Sequence, residues 1–272
     1  PASPGLVRGR AVYNPPPMAD THTIAAGWTP APDYLAKRIL LITGPADGIG
    51  RALARRCASL GATVILLDKN VRVLESLYDE IVADGSPEHS IYPMDLTGAS
   101  PADYAALAGT VDSEFGRLDG LVHNAATLGT LTPLAYHDDE LWFEILQTNL
   151  NAPYLLTRNC LELLGRSDDA SVLFLGDSVG RHGKAYWGAY GVAKAGIENL
   201  SQTLADELED NTRIRVNSYD PGAVRTALRL VAYPAENRDA LARPEDVIVP
   251  CLYLLGPESQ GITGQQYAIG SH

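Results

Sequence analysis

From residue 37 onward, apolar positions follow two alternating rhythms. Short unbroken runs such as Ile39-Leu40-Leu41-Ile42 and Val64-Ile65-Leu66-Leu67 suit strands buried on both faces. Between them apolar residues fall three and four apart, as in Leu53, Ala54, Cys57 and Leu60, which is the period of a helix with one buried stripe. The pattern predicts strands near 39–43, 63–67, 89–93, 118–123, 171–176, 213–219 and 265–269. Helices are predicted near 48–60, 71–84, 101–116, 139–164, 188–210 and 244–255. Such alternation specifies an α/β fold, a doubly wound seven-stranded parallel sheet with helices on both faces and ligands at the carboxyl ends of the strands. Neither an internal repeat nor a second domain is visible.

Composition narrows the class of partner. A 272-residue chain that is 46% hydrophobic supports one large core, and its net charge of −12 argues against nucleic acid or anionic membrane. No apolar run approaches the length of a membrane span. Cys57, Cys160 and Cys251 show no metal-ligand spacing, so no metal is expected, and buried thiols suit a reducing cytoplasm. Residues 1–36 form a Pro-rich extension without an apolar secretory core. Met18 is a candidate start, with residues 1–17 as appended sequence; if ordered, the arm must lie on its own domain or on a neighbouring subunit.

Two local patterns carry chemistry. The first apolar run leads into Gly44-Pro45-Ala46-Asp47-Gly48-Ile49-Gly50, then a helical pattern. Glycines at this spacing let the backbone approach a pyrophosphate, and the helix start offers free N–H groups. The next strand ends in Asp68, about where an acid would accept from ribose hydroxyls. In the second pattern, Tyr190 and Lys194 stand four apart in Trp187-Gly188-Ala189-Tyr190-Gly191-Val192-Ala193-Lys194 and share a helix face. An ammonium beside a phenol favours its ionised form, so the Tyr190 pKa is expected to fall and to suit proton exchange with a substrate oxygen.

Together these patterns resemble the short-chain dehydrogenase/reductase superfamily, over about residues 37–271. Asp95-Leu96-Thr97, His123-Asn124-Ala125-Ala126, Asn149 and Pro221-Gly222-Ala223-Val224-Arg225-Thr226 add four matches in order. Ser178-Val179-Gly180-Arg181 before Trp187-Gly188-Ala189-Tyr190 is similar to a bacterial oxidoreductase subgroup. The resemblance implies a single-domain Rossmann fold with Tyr190 as acid/base and Lys194 tuning it and binding the nicotinamide ribose. Asn149 would distort its helix and hold a relay water. Gly44, Gly48, Ile49 and Gly50 would form the pyrophosphate turn. Asp95 and Leu96 would contact the adenine, Asn124 and Ala125 would brace the site, and Ala126 replaces the usual Gly. Residues Pro221, Gly222, Val224 and Thr226 would hold the carboxamide side. Asp68 and Asp47 repel a 2′-phosphate, so NAD is expected over NADP; Lys69 is the opposing signal.

One position departs from the family pattern. The serine that usually bonds the substrate oxygen stands thirteen residues before the tyrosine, and here that residue is Asp177, with Ser178 next. A carboxylate cannot donate a hydrogen bond, and Ser178 would serve only if the backbone bulged. The expected pocket walls are Gly129 to Thr132, His182 to Trp187 and a short lid near 227–242. Trp187 and Tyr186 would be either an apolar wall or interface anchors. Three readings follow: an NAD(P)-dependent enzyme interconverting a secondary alcohol and a ketone; a catalytically impaired dinucleotide-binding protein; or an isomerase or dehydratase on the same scaffold. The apolar residues Val192, Ala195, Ile197, Leu200, Leu204 and Leu208 on helix 188–210 exceed what one sheet face needs and point to a homo-oligomer, dimer or tetramer; the resemblance implies that this helix and helix 139–164 pair with their copies across a two-fold axis.

Overall fold

The computed structural model describes residue 24 and residues 27–85 and 89–269. Most of the Pro-rich extension, including Met18, lies outside the described residues. The strands are β1 (Ile39–Thr43), β2 (Thr63–Asp68), β3 (Ser90–Pro93), β4 (Gly120–His123), β5 (Ala170–Leu175), β6 (Ile214–Asp220) and β7 (Gln266–Ala268). They form one parallel sheet in the order β3-β2-β1-β4-β5-β6-β7. All residues of β1, β4, β5 and β6 are buried, because helices cover both faces.

The helices are α1 (Gly48–Ser59), α2 (Val71–Ala83), α3 (Pro101–Phe115), α4 (Asp139–Leu146), α5 (Ala152–Gly165), α6 (Ser178–Arg181), α7 (Gly188–Glu209), α8 (Ala227–Ala232), α9 (Pro244–Val247) and α10 (Val249–Leu255). One face of the sheet packs on α1, α2 and α10 through Leu40, Ile42, Leu53, Leu74 and Leu252. The other packs on α3, α5 and α7 through Leu41, Leu107, Leu156, Phe174 and Ile197.

Two predicted helices are each broken. The expected helix 139–164 is interrupted by a π-helical turn, Gln147–Asn151, that separates α4 from α5. The side chain of Asn149 reaches out of this turn: Oδ1 accepts from the Thr127 N–H at 2.8 Å and Nδ2 donates to the Thr127 carbonyl at 2.7 Å. Periodicity alone misses one inserted residue in an otherwise helical run. The expected helix 244–255 divides at Ile248, ahead of Pro250, whose ring removes a backbone donor.

The described end of the N-terminal segment lies on its own domain. Leu35 is fully buried in the core. Trp28 stands edge-on to both Tyr34 and Tyr253, each at 5.3 Å, and donates to Glu258 at 2.7 Å.

Candidate active site

The chain reverses direction across the sheet between β1 and β4, where doubly wound sheets open a crevice. A cleft of about 510 Å³ lies there. One end is lined by Asp68, Lys69, Asp95 and Leu96. Its middle holds Gly44, Asp47, Gly48, Ile49, Asn124, Ala125 and Ala126. At the other end stand Asp177, Tyr190, Lys194, Pro221, Gly222, Val224 and Thr226, with Leu228, Arg229 and Ala232 of the lid. Gly50, Asn149 and Ser178 do not line it.

The glycine turn passes a direct test of fit for a dinucleotide. Gly44 has φ +67°, and a Cβ there would lie 2.7 Å from the Ala125 backbone. A Cβ on Gly50 would overlap the Gly44 carbonyl oxygen and the Asn124 amide. That amide donates to the Thr43 and Gly44 carbonyls at 3.0 and 2.9 Å, holding the turn against β4. Thr43, which sequence reasoning passed over, accepts through its hydroxyl from the Asn124 and Ala125 N–H groups, each at 3.1 Å. Asp47 precedes α1 without capping it, so the first N–H groups of that helix remain open toward the cleft. The glycines thus let the turn pack against β4, and the uncapped start of α1 at Gly48 and Ile49 lines the cleft, where it would suit a pyrophosphate.

At the end of the cleft lined by Asp68 and Asp95 both acids shape their own turns. Asp68 Oδ1 accepts from the Asn70 N–H at 3.0 Å, and Asp95 Oδ1 accepts from the Thr97 N–H at 3.1 Å. Lys69 is exposed beside Asp68.

At the opposite end, Tyr190 and Lys194 on α7 are 5% and 6% exposed. Tyr190 Oη donates to Asp177 Oδ2 at 3.1 Å. The other Asp177 oxygen caps α6, accepting from the Val179 N–H at 3.0 Å. Ser178 is exposed, and its hydroxyl turns back toward Asp177 at 3.4 Å. The Lys194 ammonium donates to the Leu175 carbonyl at 2.6 Å and lies 5.6 Å from the Tyr190 ring centre. Thr226 caps α8, its hydroxyl accepting from the Arg229 N–H at 3.2 Å.

The electrostatics correct one expectation. The Tyr190 phenol is pushed well above its ordinary range, not below it. Burial is the largest cause, followed by the Asp177 charge and its hydrogen bond, then by Asp220. Burial also lowers Lys194, while Asp177, Glu198 and Asp220 pull it back up. Asp220, at the end of β6, is raised chiefly by burial. Sequence reading overlooked Asp220 and Glu198; the one available signal was the acid immediately before Pro221-Gly222.

The pocket walls also differ from expectation. Trp187 lines the cleft, in contact with Tyr190 and Tyr233 at ring separations of 5.6 and 5.8 Å. Gly129 to Thr132 and His182 to Tyr186 lie off it. Tyr186 is instead 57% exposed at φ +76°, its carbonyl accepting from the Thr132 N–H at 3.2 Å. Segment 227–242 is held to the rest of the chain by Lys184, which donates to the Tyr233 hydroxyl at 2.7 Å, and is braced internally by an Arg229–Glu236 fork at 2.7 and 2.6 Å.

Residues 38–236 match the short chain dehydrogenase family. The uncharacterized oxidoreductase YciK of Escherichia coli K12 is 38% identical over 240 residues, covering 88% of this chain and 94% of that protein. A solved short chain dehydrogenase structure from Pseudomonas syringae is 46% identical, with TM-score 0.86 over 93% of this chain and 99% of that one. Another, from Shigella flexneri 2a and complexed with NADP, is 38% identical, with TM-score 0.85 over 88% and 99% of the two chains. The chain belongs to the short-chain dehydrogenase/reductase family and is an oxidoreductase of that family. Among the described residues, no helix is long and apolar enough to cross a membrane.

Proposed function

We propose that this oxidoreductase interconverts a secondary alcohol and a ketone, with Tyr190 exchanging the hydroxyl proton. The observation that carries the reading is the meeting of Tyr190 and Lys194 with the glycine turn in one cleft. A bound nicotinamide dinucleotide would supply or accept the hydride. In the reductive direction Tyr190 Oη gives its proton to the carbonyl oxygen; in the oxidative direction it takes the proton from the alcohol. Lys194 places a positive charge beside the phenol, and Asn149 fixes the π-helical turn next to the cleft-lining Thr127. Trp187 and the lid residue Leu228 supply apolar cover that excludes water.

Asp177 occupies the serine position with its carboxylate turned to Tyr190. It accepts where a serine would donate, and it adds negative charge where a phenolate or alkoxide develops. Turnover is therefore slow.

Charge complementarity pulls both ways on the dinucleotide. Asp68 disfavours a 2′-phosphate, while Lys69 beside it and the NADP in the Shigella relative favour one. The expected preference for NAD draws no support from that relative, and NADP(H) is the dinucleotide of this reading. Exposed apolar side chains on α4, α5 and α7 (Phe143 at 69%, Tyr154 at 47%, Val192 at 49%) support a homo-oligomer. Light scattering giving a mass near the chain's 29.1 kDa would refute it.

A screen of secondary alcohols and ketones with both dinucleotides tests the function through nicotinamide absorbance. Turnover of one such pair supports it. Dinucleotide binding without turnover of any would favour a binding protein, the outcome that Asp177 makes conceivable.

A further inference from the structure

The charges around Tyr190 do not balance, and the imbalance comes from two strands. β5 and β6 are paired with Leu175 opposite Tyr219. Asp220 therefore stands opposite Gly176, one residue from Asp177, where both strands end at the cleft. Glu198 of α7 lies beneath Gly176, but its charge is met: Arg181 of α6 is 3.1 Å away and the Ser218 hydroxyl donates to it at 2.6 Å. Arg229 of the lid is likewise committed to Glu236. Lys194 is the cation whose charge is coupled to both Asp177 and Asp220, while Arg181 also acts on Asp220 and Arg229 on Asp177 from their own ion pairs. Neither aspartate has a cation within ion-pair distance among the described residues. The Asp220 carboxylate accepts from the Gly222 N–H at 2.9 Å and is otherwise left to act on the site by its charge.

We propose that Asp220 acts with Asp177 as a carboxylate pair that keeps the proton on Tyr190, and so confines proton removal from an alcohol to alkaline solution. This rests on the reading of Tyr190 as the acid/base. Asp177 holds the proton through a direct hydrogen bond. Asp220 makes no bond to Tyr190 and is a positioning residue, acting through the field at the phenol oxygen. Both carboxylates oppose the third negative charge that a phenolate would add, and a lysine whose ammonium points at the Leu175 carbonyl does not fully offset them. The overall equilibrium of the reaction is untouched; the pair sets the pH range in which the oxidative half-reaction runs.

The test needs no substrate. Ultraviolet difference absorption follows tyrosinate formation with pH in the parent, Asp177→Asn, Asp220→Asn and the double variant, each compared with its Tyr190→Phe counterpart to isolate Tyr190. Asparagine keeps the α6 cap and still accepts from the Gly222 N–H, so both variants retain the local hydrogen bonds. The Tyr190 titration is expected to move to lower pH by about one unit or more in Asp177→Asn and by a smaller amount in Asp220→Asn, the range for removing a nearby like charge. In the double variant the two shifts combine. An Asp220→Asn titration that coincides with the parent's, or that stays beyond reach while Asp177→Asn brings it into view, overturns the role of Asp220. A lower melting temperature with no shift is a purely structural role and also overturns it. If the titration shifts as expected but no alcohol or ketone turns over, the carboxylate pair stands and the redox reading fails.

Discussion

The two ends of the cleft are built by different means. The end at the glycine turn, which the proposed function assigns to the dinucleotide, is backbone: Gly44 in a left-handed conformation, Gly50 packed against the Gly44 carbonyl, and the Asn124 amide spanning the turn. The chemical end is charge around a buried phenol: Tyr190, Lys194 and Asp220 are buried and Asp177 is half-buried, delivered by α7, the end of β6 and the turn between β5 and α6. The first end is governed by volume, since a Cβ at Gly44 or Gly50 would overlap neighbouring backbone. The second is governed by charge and by the group that carries the proton, because burial around Tyr190 and Lys194 leaves little water to screen them.

The largest expected effect falls on the chemical end alone. Tyr190→Phe removes the proton-carrying hydroxyl, and turnover should fall by about 10²–10⁴-fold, the usual contribution of an acid/base. Dinucleotide affinity by titration calorimetry should stay near the parent value; a matching loss of affinity would show that the two ends are coupled. Next comes Asp177→Ser, which replaces a misplaced acceptor with a donor and should raise kcat by about 10²-fold, comparable to one oxyanion donor. Serine still caps α6. Ser178→Ala should change little; if it abolishes turnover while Asp177→Ser does nothing, the exposed Ser178 is the substrate-facing group after all.

At the dinucleotide end, Gly50→Ala should destabilise the turn by about 1–3 kcal/mol through overpacking and weaken dinucleotide binding in parallel. Unchanged affinity would break the claim that volume governs this end. Asp68→Ala should weaken NAD(H) binding by about 1–3 kcal/mol, the loss of bonds to a charged acceptor, while NADP(H) binding tightens. Tighter NADP(H) binding by the parent supports Lys69 as the dominant charge; tighter NAD(H) binding returns that role to Asp68.

The smallest effect per step separates the two ends by pH. His123, the last residue of β4 beside Asn124, is pushed by burial down to about 3, and His89 to about 4. The unfolded chain takes up these protons from about pH 6.5 downward while the folded protein does not. Stability is therefore fully present above that pH and drains as pH falls toward 3, by at most about 1.4 kcal/mol per pH unit per histidine. Melting temperatures between neutral pH and pH 4 should fall more gently in His123→Gln, which keeps a partner for Thr157. An identical slope would remove His123 from the account.

What was legible in the sequence follows the same division. Strand and helix positions, the glycine turn and the Tyr190–Lys194 spacing are local patterns, set by side-chain period and by backbone angles that glycine alone adopts easily. The sequence by itself therefore determined the parallel sheet, a ligand site at the carboxyl ends of its strands and the candidate residues, while the strand order that opens the crevice between β1 and β4 came from the structure. It also marked Asp177 as a departure, because spacing along one chain segment is a one-dimensional fact. Two local breaks escaped, since a π turn at Asn149 leaves the apolar stripe almost unchanged and Pro250 was hidden inside an apolar run. The direction of the Tyr190 shift was decided only by the tertiary structure. It depends first on burial, then on the charge and hydrogen bond of Asp177, and least on Asp220, a residue thirty positions away that the pairing of β5 with β6 brings to the same strand ends. Coulomb energy and desolvation are functions of distance in space, and sequence spacing carries neither.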